Sequence, residues 1–309
     1  MLNTSMDVLD QFPVRKTKKQ KETFRSAVCA YAERLGYQYT VERKCLSCQN
    51  VLFGDPDKAK YLVTAHYDTC AKMLLPNLIT PCNSVLYFLY QLGLIVLLII
   101  VSIAAGVAAG FLLGDESVKW ISLAIYWVLL FLMILGPANK NNANDNTSGI
   151  VTLLEIMRTM PENQRHKVCF VLFDQEETGL IGSSFYRSRH RKASDHQIVL
   201  NLDCVGDGDH IRMFPTKKLK KDRKKLTSLY KACGYFGKKN VLVHEKGFGI
   251  YPSDQMLFPY GVGICALKKS KFGLYVGKIH TPKDTVLDET NVNILRAALT
   301  SFICCDEAQ

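Results

Sequence analysis

An export signal is missing from the start of this 309-residue sequence. Asp7 and Asp10, then Arg15, Lys16, Lys18 and Lys19, leave no apolar core of the kind that secretion requires. No nucleic-acid motif and no internal repeat is present. The basic excess, a formal net charge of +11, therefore points first to lipid headgroups among possible anionic neighbours. A closed disulfide framework does not suit the odd count of 11 scattered cysteines. Several sit in apolar runs, as Cys169 does in Val168–Phe173, and read as buried free thiols in a reducing compartment. Cys45 and Cys48 form a lone C-x-x-C. A redox pair or half a zinc site is open there, but no second pair at suitable spacing accompanies it. Plain thiols near a strand are the simpler reading.

Charge is absent from Val85 to Leu113, where Gln91 is the only strongly polar side chain. That run exceeds the ~20 residues needed to cross a bilayer. A short polar stretch, Gly114 to Lys119, leads to Trp120–Leu135, again uncharged, and Pro137 ends it. Two spans joined by a tight turn make a transmembrane hairpin. A buried pair of core helices is the other reading, but a core helix is seldom apolar all round. The turn is net acidic, while Lys60, Lys72 and Lys140 flank the hairpin, so the positive-inside rule places both ends in the cytoplasm. The expected location is thus the cell membrane, with two spans in the lipid bilayer. Gly106, Gly110 and Gly114 share one helix face. Such a face suits close packing, either on the second span or in a homodimer. We expect residues 1–74 and 139–309 to form one catalytic domain and residues 83–138 to be its membrane insertion.

Outside the hairpin, apolar runs alternate with helical patterns. Tyr37–Arg43 and Asn50–Gly54 read as a hairpin of strands. Tyr61–Ala65, Lys167–Phe173, Ile198–Leu202 and Val262–Leu267 read as buried strands. Lys18–Leu35, Gly149–Met160, Ser183–Arg189, Lys220–Cys233 and Val292–Cys304 have helical spacing. This order predicts an α/β fold with a mixed, mostly parallel sheet and helices on both faces. The basic run Lys217–Lys225 reads as a solvated helix face.

The residues suited to chemistry follow the strands. His66-Tyr67-Asp68 comes straight after Tyr61–Ala65; a histidine there can ligate zinc, and Asp68 can hold its other ring nitrogen. Asp145-Asn146-Thr147-Ser148-Gly149 opens a helix, where Asp145 could equally be an N-cap. Glu176 and Glu177 are adjacent carboxylates that repel unless a cation lies between them. Asp203 follows Ile198–Leu202, and His280 lies in Ile279-His280-Thr281-Pro282-Lys283-Asp284-Thr285. Each alone has an ordinary structural explanation; together they read as a site at strand ends, where open α/β sheets place chemistry. Two histidines and three carboxylates match zinc.

H-Y-D, D-N-T-S-G, E-E-T-G-L-I-G-S, N-L-D and H-T-P-x-D-T, in this order, resemble the co-catalytic two-zinc aminopeptidases, metallopeptidase family twenty-eight, which includes glutaminyl cyclases. The resemblance covers about Glu22 to Phe302, the hairpin excepted. It implies two zinc ions: His66 and Asp203 on the first, Glu177 and His280 on the second, Asp145 bridging. It also implies Glu176 as general base, Asp68 as the partner of His66, and a peptide substrate cut at its N-terminal bond through a metal-bridged water. A glutaminyl cyclase-like acyltransferase and an inactive membrane scaffold are the alternatives. Ser253-Asp254-Gln255 looks like the family's S-D-H segment, with Gln in place of His. The hairpin is the main departure, since family members usually join H-x-D to the bridging Asp by a short loop.

Overall fold

The computed structural model describes residues 2–44, 47–115, 117–245 and 249–305. The apolar runs form the middle of a ten-stranded sheet. Its strands are β1 (Tyr39–Lys44), β2 (Cys48–Phe53), β3 (Tyr61–His66), β4 (Val168–Phe173), β5 (Ile198–Leu202), β6 (His210–Pro215), β7 (Gly234–Phe236), β8 (Lys239–Val243), β9 (Gly261–Ser270) and β10 (Gly273–Tyr275). Their order is β1-β2-β4-β3-β5-β9-β6-β8-β7, with β10 paired to β9 off that path. The sheet is mixed: β4, β3, β5 and β9 run parallel at its centre, and antiparallel pairs dominate its flanks. Every residue of β3, β4 and β5 is buried, which is why these strands read as unbroken apolar runs. β6, β7, β8 and β10 were not legible as strands, because polar residues such as His210, Arg212 and Asn240 interrupt them.

Helices cover both faces. They are α1 (Asp7–Gln11), α2 (Lys18–Arg34), α3 (Ser84–Leu113), α4 (Ser117–Leu135), α5 (Gly149–Thr159), α6 (Ile181–Arg189), three short later pieces and the C-terminal helix Glu289–Cys304. Thr17 caps α2 through a reciprocal capping box with Gln20. On one face Tyr61, Val63, Phe170 and Leu200 pack with Phe24 of α2, Leu153 of α5 and Leu295 of the C-terminal helix. On the other, Leu62, Cys169, Val171 and Phe173 pack with Tyr186 of α6 and Phe258. The alternation follows from the two-residue period of a strand, and each such side chain contributes roughly 1.5–3 kcal/mol by burial. The helix expected at Lys220–Cys233 is broken instead: Lys217–Lys221 and Arg223–Leu229 are separate helices. Asp222 leaves the helical conformation, and its carboxylate accepts the Lys225 N–H to cap the second one. Cys48 is a free thiol, and Cys45 lies outside the described residues.

Between β3 and Ala143 the chain leaves the sheet for the paired helices α3 and α4. Both are long and apolar enough to cross a membrane, and almost none of their side chains is buried. A pair of core helices would be mostly covered, so that reading is set aside. The small residues of α3 serve the pair itself. A Cβ at Gly106 would strike Ser122 and Val118, and one at Gly110 would strike the Val118 side chain, whereas Gly114 is open. A homodimer through Gly106, Gly110 and Gly114 therefore loses two of its three small residues to packing within the chain. Gly110→Leu is expected to destabilise the hairpin by about 1–3 kcal/mol, as overpacking does. A thermal melt in detergent should show this as a lower midpoint with the oligomeric state unchanged.

Candidate metal centre

His66 ends β3, Asp203 follows β5, and Glu176 and Glu177 follow β4 by way of Asp174 and Gln175. These stand at carboxyl ends of parallel strands, as expected. Asp145 and His280 do not. Asp145 lies in the irregular turn Ala143–Ser148, and Ser148, not Asp145, is the N-cap of α5. His280 lies on the loop between β10 and the C-terminal helix. The loops bend sharply: Gln175, Cys204 and His280 itself have positive φ.

The other four residues expected as ligands converge on Asp145. Its Oδ1 is 3.2 Å from His66 Nε2, and its Oδ2 is 3.1 Å from His280 Nε2. His66 Nε2 is also 3.9 Å from Asp203 Oδ1, and His280 Nε2 is 3.4 Å from Glu177 Oε2. One carboxylate thus faces two histidine–carboxylate sets, His66 with Asp203 and His280 with Glu177. Each set, counted with Asp145, has ligand atoms within 4.8 Å of one another, and Cys70 joins the second. The sequence reading passed over Cys70, whose place was visible only as the residue two after Asp68.

The rest of the motifs hold this geometry. Asp68 carries a second duty beyond His66. Its Oδ1 accepts the Glu176 N–H at 3.0 Å and its Oδ2 the Glu177 N–H at 3.2 Å. Its contact with His66 Nδ1, at 3.4 Å, is an ion-pair approach and not a made hydrogen bond. Asp284 acts likewise on the opposite loop, accepting the N–H groups of Asn144 at 2.9 Å and Asp145 at 3.1 Å. Asn144 and Asn146 tie the Asp145 turn to the Asp203 loop: Asn144 Oδ1 accepts from Gly206, and Asn146 donates to the Leu202 carbonyl. A side chain at Gly149 would collide with Asn146 and that carbonyl, which accounts for the final glycine of D-N-T-S-G. Gln255 of the S-D-Q segment is locked in structure, bonded to Asn201 and to the Tyr251 carbonyl. Arg15, fully buried and unforeseen, donates to the Tyr67 carbonyl and to Thr147 beneath the site.

The electrostatics fit a cation. Asp68, Asp145, Glu176, Glu177, Asp203 and Asp254 crowd together largely out of water. Burial pushes Glu176, Glu177 and Asp203 above the ordinary carboxylate range, and neighbouring carboxylates add to the effect. Burial takes Asp254 to about 7, and neither of its oxygens has a hydrogen-bond partner. Burial would raise Asp145 too, but its bonds to His280 and His66 hold it well below that range. Burial would lower His66, yet Asp145 and Asp68 keep it well above its usual value. His66 Nδ1 and Glu177 Oε1 are buried without a made hydrogen bond. Unsatisfied buried acceptors and clustered carboxylates are costly without a counter-charge, and divalent ions would supply it. Asp145, Glu177 and Asp203 with His66 and His280 are borderline or hard donors that suit zinc.

The clustered histidines and carboxylates are groups that could hold metal ions, and the family to which the chain belongs makes the class that of a metal-dependent hydrolase. The chain belongs to peptidase family M28, whose family model matches residues 129–301. Asp145, Glu176, Glu177, Asp203 and His280 lie inside that span; His66 and Asp68 precede it. Among solved structures the chain is similar to a glutaminyl cyclase of Macrostomum lignano, with a TM-score of 0.56 and 11% identity over 97% of this chain and 88% of that one. It is also similar to the TET1 peptidase of Pyrococcus horikoshii, with a TM-score of 0.51 and 13% identity over 97% and 99%. A zinc aminopeptidase from Bacillus subtilis matches with a TM-score of 0.47 and 17% identity over 84% of this chain, which spans only 51% of that protein's length. At these identities the likeness is one of fold.

Proposed function

We propose that this protein is a zinc-dependent aminopeptidase that removes residues from peptide N-termini. The observation that carries the reading is Asp145, whose two oxygens face His66 and His280 separately. In this reading His66 and Asp203 hold one zinc ion, Glu177 and His280 a second, and Asp145 both. Bound zinc supplies Lewis-acid polarisation of the scissile carbonyl and lowers the pKa of water to about 7. The Glu176 carboxylate, which burial makes a stronger base than an exposed one, takes a proton from the attacking water and delivers it to the leaving amine. Asp68 holds the main chain of Glu176 and Glu177, which fixes the point from which the Glu176 side chain departs. A panel of aminoacyl amides, assayed with and without added zinc, tests the reading. Zinc-dependent release of the amine is expected; no release from any member overturns it.

The Macrostomum neighbour favours one second reading, an acyltransferase that cyclises N-terminal glutamine. Ammonia released from a glutaminyl peptide, with no cleavage of aminoacyl amides, would identify it. An inactive scaffold is the third, but none of the seven site residues is missing.

We further propose that α3 and α4 lie in a bilayer as an insertion, residues 83–138, in a catalytic domain made of residues 1–74 and 139–309 that faces the cytoplasm. The basic flanks and the acidic turn support this orientation. In intact cells, an impermeant thiol reagent is expected to label Ser117→Cys and to spare the native cysteines. Labelling of the native set alone would reverse the orientation.

A further inference from the structure

A cavity of about 190 Å³ joins the metal centre to the foot of the α3–α4 hairpin. Glu177 and His280 form one wall. Leu94 of α3, Leu130, Met133 and Ile134 of α4, and Met73 line the rest. The spacing of Leu130, Met133 and Ile134 puts them on one side of their helix. Leu94 and Gln91 lie likewise on one side of α3. The first root of the hairpin is fastened to the His280 loop, and the two roots are tied to each other. Met73 N–H donates to the His280 carbonyl at 2.7 Å and Asn77 N–H to the Ile279 carbonyl at 3.3 Å. Between the two roots Lys72 N–H donates to the Pro137 carbonyl at 2.8 Å. Tyr90 of α3 donates to the Pro76 carbonyl at 2.5 Å.

The chemistry of this cavity is one-sided. Its polar members away from the metal centre, Gln91 and Asn77, are bonded to each other at 3.2 Å. Its lining holds no ionisable group other than Glu177 and His280 themselves. An aliphatic side chain placed there would meet Leu94, Leu130, Met133 and Ile134, whereas a charged one would be desolvated with Glu177 and His280 as its only ionisable neighbours in the lining, at a cost. The volume is below the ~300–1,000 Å³ typical of whole-ligand pockets, and so suits one side chain and not a whole peptide.

We propose that the foot of the hairpin is the pocket for the side chain of the substrate's N-terminal residue, and that it selects an apolar one. The hairpin would then be a specificity element as well as an anchor. This rests on the aminopeptidase reading above. Zinc-loaded full-length protein is expected to cleave leucine and methionine amides about 10–200-fold faster, in kcat/KM, than glycine or lysine amide. The double variant Leu130→Ala with Met133→Ala should lose about tenfold on leucine amide and little on glycine amide. Phe131→Ala, on the exposed outer side of α4, should keep the wild-type profile. A readout independent of turnover uses the Glu176→Gln variant and a peptide with a diazirine analogue of leucine at its first position. Photolysis should label α3 near Leu94 or α4 near Met133. An unchanged side-chain preference in the double variant, or labelling confined to residues outside the hairpin, would overturn the pocket. Failure to cleave every amide with zinc bound would instead overturn the aminopeptidase reading and the pocket with it. Cleavage without selectivity would refute the pocket alone.

Discussion

Glu176→Gln is expected to lose turnover by about 10²–10⁴-fold while retaining the fold and the metal content of the wild type. The amide matches the carboxylate in shape but cannot take a proton. The main chain at position 176 is held in either case, since its N–H is bonded by Asp68 at 3.0 Å whatever the side chain. Removing one of several clustered carboxylates also relieves repulsion, so stability should not fall. The measurement is a single-turnover rate beside elemental analysis and a thermal melt. Turnover within a few-fold of wild type would move the role of base to another group, and Asp254, buried with both oxygens unpartnered, would be first in line.

On the two-zinc reading proposed above, Asp145→Ala should have an effect of another kind: loss of both metals at once. Its two oxygens are the nearest acceptors to His66 Nε2 and His280 Nε2, at 3.2 and 3.1 Å. Breaking one partner out of a buried charged set costs about 3–5 kcal/mol, or roughly 10²–10⁴-fold in affinity. Because each set depends on Asp145, both occupancies should drop together by elemental analysis, and activity with them. His66→Ala and His280→Ala should each deplete one set. Loss of a single metal in Asp145→Ala, with the other at full occupancy, would refute the shared role.

How much of this was legible depended on burial. β3, β4 and β5 are covered on both faces, so their composition announced them, and β5 falls at the expected residues, Ile198–Leu202. The flanking strands carry polar side chains and owe their place to pairing with β9 and β8, which a single sequence does not display. The histidines and carboxylates that converge on Asp145 were singled out, because such groups near apolar strands are costly unless they serve something, whereas Cys70 was hidden among ten other cysteines. Their supports were harder to find. Asp284 was quoted within H-T-P-x-D-T, but its work is to accept two N–H groups from a turn 139 and 140 positions away. Arg15 looked like one of several basic residues near the start, and only the fold turns it inward. The hairpin's cavity was out of reach for the same reason. Leu94 and Met133 look like any other residue of an apolar run until the helices are set beside His280.

The place of β3 in the sheet has a consequence for how the chain is made. Its two neighbours, β4 and β5, are both encoded after the hairpin. While a ribosome is still producing α3 and α4, β3 has emerged with neither edge paired, and unpaired apolar strands invite association with other chains. The strand must wait more than a hundred residues, until Ile198–Leu202 has been synthesised, before both edges are closed. Nascent chains stalled before Leu202 should therefore depend on chaperones more than chains stalled after β9, which closes the outer edge of β5, has been made.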